Sequence, residues 1–333
     1  MKLGVDVFSL RFNDWTAFDH LDYAHKIGLE VVMFPDPDFF ASLDDAYLRQ
    51  VKAHADGLGL ELEVGMYSIC ESSTSFSNRR GSAVEQLAKM VHVASVLGCK
   101  AMRTLLGSNA DRCTPTPLAT HVQNTIATLK AVRDQAMDLG IKIAIENHAG
   151  DLLGRELKAL VEEAGPEFVG VCIDSGNPLW MGESPYVTLQ HLAPYIVMSH
   201  IRDTVVCPHP KGAAVQWVAM GDGTIDIARW SRLYQEQCAN TNFTLEIIST
   251  LAPKVLNYLE PEYWSVYPDL PAAEFAQFLQ LVQTGSPYTQ PTLTASWADL
   301  SPTYKAALGL EQQRQLEKSV TYCREVLQIG RRQ

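Results

Sequence analysis

Lys142-Ile-Ala-Ile-Glu-Asn-His148 is a short apolar run that ends in side chains able to hold a metal ion. Three later stretches repeat its form: Cys172-Ile173-Asp174, Met198-Ser199-His200 and Thr244-Leu245-Glu246. A β-strand turns every second side chain to the same face. Glu146 and His148 therefore share one face while Ile145 and Asn147 share the other, and His200 shares its face with Met198 and Arg202. The spacing is 28 positions from Glu146 to Asp174 and 26 from Asp174 to His200, close to a βαβ repeat of roughly 30 residues. The 46 positions from His200 to Glu246 make one repeat plus a long loop.

Four consecutive strands, each delivering one oxygen or nitrogen ligand from its C-terminal end, describe an α/β (β/α)8 barrel, whose chemistry sits at that mouth. Glu146, Asp174, His200 and Glu246 form a hard, mostly oxygen donor set suited to Mn2+ or Mg2+, with Zn2+, Co2+ and Fe2+ also compatible. One polar residue at a strand end is ordinary. Four in register converge on one mouth and mark a site.

The rest of the chain supports that plan. Alternation and glycine or proline punctuation predict strands at 3–10, 29–34, 60–67, 100–107, 141–148, 168–176, 194–202 and 242–248. Helices are predicted at 16–27, 43–57, 81–97, 118–140, 185–192, 225–237 and 274–282, with a shorter one ending near 162. Val84, Leu87, Met90, Val91 and Ala94 form the expected apolar stripe of the third helix. Arg103 sits inside an apolar strand and calls for an interior carboxylate or a substrate contact. The stretch 203–223 reads as a long loop covering substrate, and 258–264 as an aromatic rim or oligomer contact. Residues 1–286 are expected to form the barrel, and 287–333 a C-terminal extension, helical at 310–327.

With 333 residues, 47% of them hydrophobic, the chain suits one barrel with an extension better than two domains. A net charge of −11 argues against nucleic acid, whose grip relies on clustered Lys and Arg. Seven cysteines without a C-x-x-C pair suggest neither a disulfide framework nor a zinc knuckle. The start, Met1-Lys-Leu-Gly-Val-Asp6, reads directly as a strand, and no run of about 18 apolar residues exists to cross a membrane. A cytoplasmic protein is expected, working as a homo-oligomer or with a second subunit.

At Ile-Glu-Asn-His148, Ile-Asp-Ser-Gly-Asn177, Ser-His-Ile-Arg-Asp203, Met-Gly-Asp-Gly223 and Leu-Glu-Ile247 the chain resembles the xylose-isomerase-like TIM barrel superfamily, the AP-endonuclease-2-like group of sugar isomerases, epimerases and lyases. The resemblance spans about residues 1–285. It implies one divalent ion, Mn2+ first, on Glu146, Asp174, His200 and Glu246. Ketose 3-epimerases of this group carry a histidine three residues after the ligand aspartate. Here that position is Asn177, a departure from the epimerase pattern that remains a candidate substrate contact. The extra histidines of the DNA-repair branch have no counterparts.

These readings lead to an enzyme acting on a carbohydrate by proton abstraction next to a carbonyl, through a metal-stabilised enediolate. Glu146 and Glu246 would move protons in an isomerase or epimerase. His148 would add an acid/base for a lyase acting on a 3-keto sugar, including C-glycoside cleavage. Decarboxylation of a 3-oxo sugar acid is a further alternative, with Arg202 or Lys211 holding the carboxylate. Gln216 and Trp217 are candidate sugar contacts, Trp180 and Trp264 weaker ones, and Glu71 and Cys70 possible pocket residues. A non-catalytic sugar-binding or partner subunit is the competing class.

Overall fold

The computed structural model describes residues 1–295 and 300–330; the parts of the expected extension at 296–299 and 331–333 lie outside them. Eleven strands are present among these residues: β1 Leu3–Asp6, β2 Val31–Phe34, β3 Glu61–Ser68, β4 Ala101–Leu105, β5 Lys142–Glu146, β6 Val169–Asp174, β7 Ile196–His200, β8 Asp203–His209, β9 Gly212–Val218, β10 Phe243–Leu245 and β11 Lys254–Leu256. Eight run parallel in the order β10-β1-β2-β3-β4-β5-β6-β7. The ring closes where Ile201 N donates to Thr244 O at 2.8 Å and Glu246 N to Ile201 O at 2.9 Å. The result is a (β/α)8 barrel.

Its strands are shorter than the apolar runs suggested. β1 ends at Asp6 because the chain turns at once into a 3₁₀ turn, Val7–Leu10, capped by the Asp6 side chain. Strand parity sets the interior layers. Ala144, Cys172 and Met198 lie two residues before Glu146, Asp174 and His200 and pack with Met33 as a dry layer beneath the mouth. The helices match prediction in place. Those that open at Ala17 and Ala83 are started by capping boxes at Thr16 and Ser82. The helix predicted over 118–140 breaks at Val132 into Leu118–Ala131 and Arg133–Leu139. Val84, expected on the buried stripe, is exposed, while Leu87, Met90, Val91 and Ala94 are buried.

Two larger corrections concern the mouth and the outer shell. The stretch 203–223 is not a loop over most of its length: β8 and β9 form an antiparallel hairpin, and β11 adds a third strand. The helix expected over 274–282 spans Ala272–Thr284 and packs on β8 rather than on the barrel wall. The C-terminal helix, expected over 310–327, runs Pro302–Glu325 and does line the barrel. Its Leu308, Leu316, Val320 and Cys323 are buried, Glu317 accepts from Tyr23 Oη at 2.8 Å, and Ser319 Oγ accepts from Met220 N at 3.0 Å. No helix among the described residues is long and apolar enough to cross a membrane.

Candidate active site

Glu146, Asp174 and His200 are the last residues of β5, β6 and β7, and Glu246 follows β10 directly. One ligand atom from each lies within 4.8 Å of the other three, and all four residues are buried. An octahedral ion with ligands at about 2.1 Å needs its donors about 3 Å apart when adjacent and about 4.2 Å when opposite. Three carboxylates and one imidazole in this span fit a hard divalent cation.

Neighbouring groups hold each ligand. Asn147, on the opposite strand face, extends the β5–β6 ladder: its Nδ2 donates to Asp174 O at 2.9 Å, and Asp174 N donates to its Oδ1 at 2.8 Å. Asp174 Oδ1 accepts from Gly176 N and Asn177 N, at 2.7 and 2.8 Å. Asn177 Nδ2 donates to Glu146 Oε1 at 3.1 Å. His200 Nε2 lies 3.2 Å from Asp6 Oδ2, while Nδ1 lies 3.4 Å from Glu146 and 3.5 Å from Glu246. Nε2 also lies 2.8 Å from Met33 Sδ, and Asp6 Oδ2 makes no hydrogen bond among the described residues, so Nδ1, turned toward Glu146 and Glu246, is the nitrogen that faces the metal position.

Two arginines neutralise the cluster. Arg103 pairs with Glu146, and Arg202 bridges Asp174 and Glu246. Burial acts to raise the Glu146 carboxyl, but Arg103 and His200 override it and hold the group well below the usual carboxylate range. Asp174 moves the other way: burial raises it and Arg202 only partly offsets this.

Above the cluster lies a cavity of about 550 Å3, within the range of small-ligand sites. Glu246, Arg103, Arg202, Asn177, His148 and Trp217 all reach its wall. Glu146 does not; it sits beneath, under Arg103 and Asn177. His148 Nδ1 donates to Gly107 O at 2.6 Å, as a histidine tied to a loop carbonyl would, and its ring still lines the cavity. Burial lowers its pKa to about 4.

Of the expected substrate contacts, Asn177, Arg202 and Trp217 are brought together. Lys211 is not: it lies at the turn of the β8–β9 hairpin, exposed, 3.2 Å from Glu260. Gln216 is buried but lies on the sheet face opposite to Trp217 and does not line the cavity. Trp264 packs edge-on against Phe275. Glu71 accepts from Ala83 N at a helix start, and Cys70 is buried beside His121.

One residue emerges that the sequence reading passed over, Asp6, and one that it ranked low, Trp180. Asp6 ends β1 with the same apolar-run-then-carboxylate form as the other ligand strands, a signal that was present. Trp180 stacks flat on Trp217, with centroids 4.1 Å apart and planes within 5°, and lines the cavity. It sits in the 3₁₀ turn Asn177–Met181, and its partner lies 37 positions away, so the stack that raises it above a weaker candidate could not be read locally.

A family model described as xylose isomerase-like TIM barrel matches residues 21–262. Among curated proteins, 3-oxo-isoapionate decarboxylase from Pectobacterium atrosepticum is 24% identical over 170 residues. That match covers 51% of this chain and 54% of the relative, about half the length of each. Among solved structures, D-psicose 3-epimerase in the presence of D-fructose superposes with a TM-score of 0.62 at 15% identity, over 98% of this chain and 99% of that one. The IOLI protein with a bound zinc atom gives a TM-score of 0.57 at 17% identity, over 84% and 95%. At these identities the superpositions speak for the fold alone.

Proposed function

The chain belongs to the xylose isomerase-like TIM barrel family, and from that premise we propose a divalent-metal-dependent enzyme that moves a proton at the carbon next to a carbonyl of a sugar or keto-sugar. The observation that carries this reading is the buried set Glu146, Asp174, His200 and Glu246 directly below a sugar-sized cavity. A bound divalent ion, Mn2+ in first place and Mg2+, Co2+, Zn2+ or Fe2+ by the same donor chemistry, would polarise the carbonyl and acidify the neighbouring C–H.

The chain's own residues divide the remaining work. Glu246, on the wall, is the base that takes the proton. Arg202 fixes Glu246 and Asp174 in place, and Arg103 with Asn177 does the same for Glu146. Phe39, Tyr67 and Trp217 line the apolar part of the cavity and keep water from the enediolate. Return of the proton by Glu246 to the adjacent carbon yields an isomer; an epimer needs delivery to the opposite face, for which Glu146, beneath the cavity wall, would have to reach past Arg103 and Asn177.

A second reading, a lyase acting on a 3-keto sugar, is favoured by one feature: His148 Nε2 has no hydrogen-bond partner among the described residues, while its ring lines the cavity. There it can take the proton next to the carbonyl while a β-substituent leaves. Decarboxylation of a 3-oxo acid, the activity named for the curated relative, needs no base, only protonation of the enediolate after CO2 departs.

Metal-loaded protein in D2O with ketoses and 3-keto glycosides, read by NMR and mass spectrometry, tests the proposal. Deuterium beside the carbonyl with the skeleton intact supports the isomerase or epimerase, and a released aglycone or CO2 supports the lyase. No exchange on any substrate, with metal bound, overturns the proposal and leaves a sugar-binding or partner subunit.

A further inference from the structure

Unpaired hydrogen-bond donors cluster on one side of the cavity. Arg202 Nε and Nη1, Trp180 Nε1 and Trp217 Nε1 are buried without a partner among the described residues, and all three side chains line the cavity. Protein interiors leave few such donors unmet. They are also held tightly together. The Arg202 guanidinium lies 4.0 Å above the Trp217 ring, Trp217 stacks on Trp180, and Lys254 Nζ lies 4.3 Å from the outer face of Trp180. Two cations thus bracket a pair of indoles.

Gly176 makes the approach possible. A Cβ there would come within 2.6 Å of Arg202 Cγ and Cδ and 2.9 Å of Trp217 Nε1. Across the barrel the wall has the opposite character. Asp36 and Asp38 reach the cavity from the loop after β2, and β2 lies four strands from β6 in a ring of eight. One side offers unmet N–H donors, the other carboxylate oxygens, those of Asp38 also held by Arg79 and Arg80.

We propose that this wall is an anion subsite and that the substrate is a sugar acid, its carboxylate against Arg202, Trp217 and Trp180 and its hydroxyls toward Asp36 and Asp38. The inference rests on the proposed sugar chemistry of the same site and narrows its substrate class. Charge-assisted bonds from a guanidinium are strong enough to select a carboxylate over a hydroxyl. A carboxylate fits better than a phosphate because Asp174 and Glu246 already sit on Nη2 of the same guanidinium, and a second negative charge would face them. Trp180 becomes a specificity residue under this arrangement.

The test is calorimetric titration of the Mn2+-loaded protein with three probes of one carbon skeleton: D-gluconate, D-glucitol and D-glucitol 6-phosphate. The expected result is gluconate binding at least tenfold tighter than either of the others. Trp217→Phe and Trp180→Phe, which keep a ring and remove the N–H, should each weaken gluconate several-fold and leave glucitol within twofold. Arg202→Lys should erase most of the preference. If Trp217→Phe and Trp180→Phe both leave gluconate unchanged, the acid is held by the metal alone and the subsite is overturned. Equal binding of glucitol, tighter binding of the phosphate, or no binding of gluconate also overturns it. The D2O exchange experiment stands apart from all of these, so a neutral-sugar isomerase would fail here and succeed there.

Discussion

Asp203 and Glu183 are buried as deeply as Glu246 and Asp174, yet different chemistry holds the two pairs. Asp203 accepts from Thr204 N, Gly221 N and Gly223 N at 2.8 to 3.0 Å. Glu183 accepts from Gly154 N and from the Thr188 hydroxyl. Neither meets a guanidinium among the described residues, and burial pushes both up to about 7. At the mouth, Arg202 pairs with both Asp174 and Glu246, and Glu246 opens onto the cavity. A carboxyl near neutrality is often taken as a sign of catalysis, but Asp203 and Glu183, both held near 7, brace loops. The groups proposed to do chemistry are those facing cations and open space.

The sharpest way to break this contrast is to neutralise one carboxylate of each kind. Glu246→Gln, or Glu146→Gln, should lower turnover by about 10³ or more, within the range for loss of a general base or ligand. Glu183→Gln, outside the cavity wall, should stay within about twofold. A near-wild-type rate in either mouth variant sinks the mechanism, and a dead but folded Glu183→Gln sinks the distinction.

Metal removal should give the next largest effect. An ion that binds only the folded chain stabilises it by about 4 kcal/mol at a thousand times its dissociation constant. Thermal melts of Mn2+-loaded protein should therefore fall by several degrees in excess chelator and recover on adding Mn2+. Asp174→Asn should lose that response and Asp203→Asn should retain it. Should the two variants respond alike, the four-ligand assignment is wrong.

The contrast also explains what the sequence could reveal. Glu146, Asp174 and His200 were legible because a strand has a period of two and a barrel exposes its strand ends, so parity and spacing determine which residues meet. Asp6 obeys the same rule, but it lies far from the 28- and 26-residue spacings that drew attention to the others. The β8–β9 hairpin was missed because the length of 203–223 pointed to a loop covering substrate. Pro208 lies near the end of an edge strand, where a missing N–H is tolerated, and Pro210-Lys211 form the turn between His209 and Gly212. Lys211 drew attention as a cation that could hold a substrate carboxylate, and only the fold shows Glu260 beside it. Trp180 stood no higher than Trp264 as a candidate, since its stacking on Trp217 is a tertiary fact.

The smallest of the expected effects concerns the framework carboxyls and runs opposite to the usual acid lability. Glu183 has an ordinary value of 4.5 and is raised to about 7 in the folded chain by burial. Below pH 4.5 both folded and unfolded states hold the proton, and its contribution to stability is fully present. Between 4.5 and about 7 the unfolded chain releases the proton first, so stability falls as pH rises, and the loss is complete above 7. The size is at most on the order of 3 kcal/mol. In a protein of this length that is a few degrees of melting temperature. Glu183→Gln keeps the bond from Gly154 N and cannot ionise, so its melting temperature should decline less than wild type between pH 5 and pH 8. Parallel curves would mean that Glu183 is charged in the folded state, and that it has a cationic partner like those of the mouth.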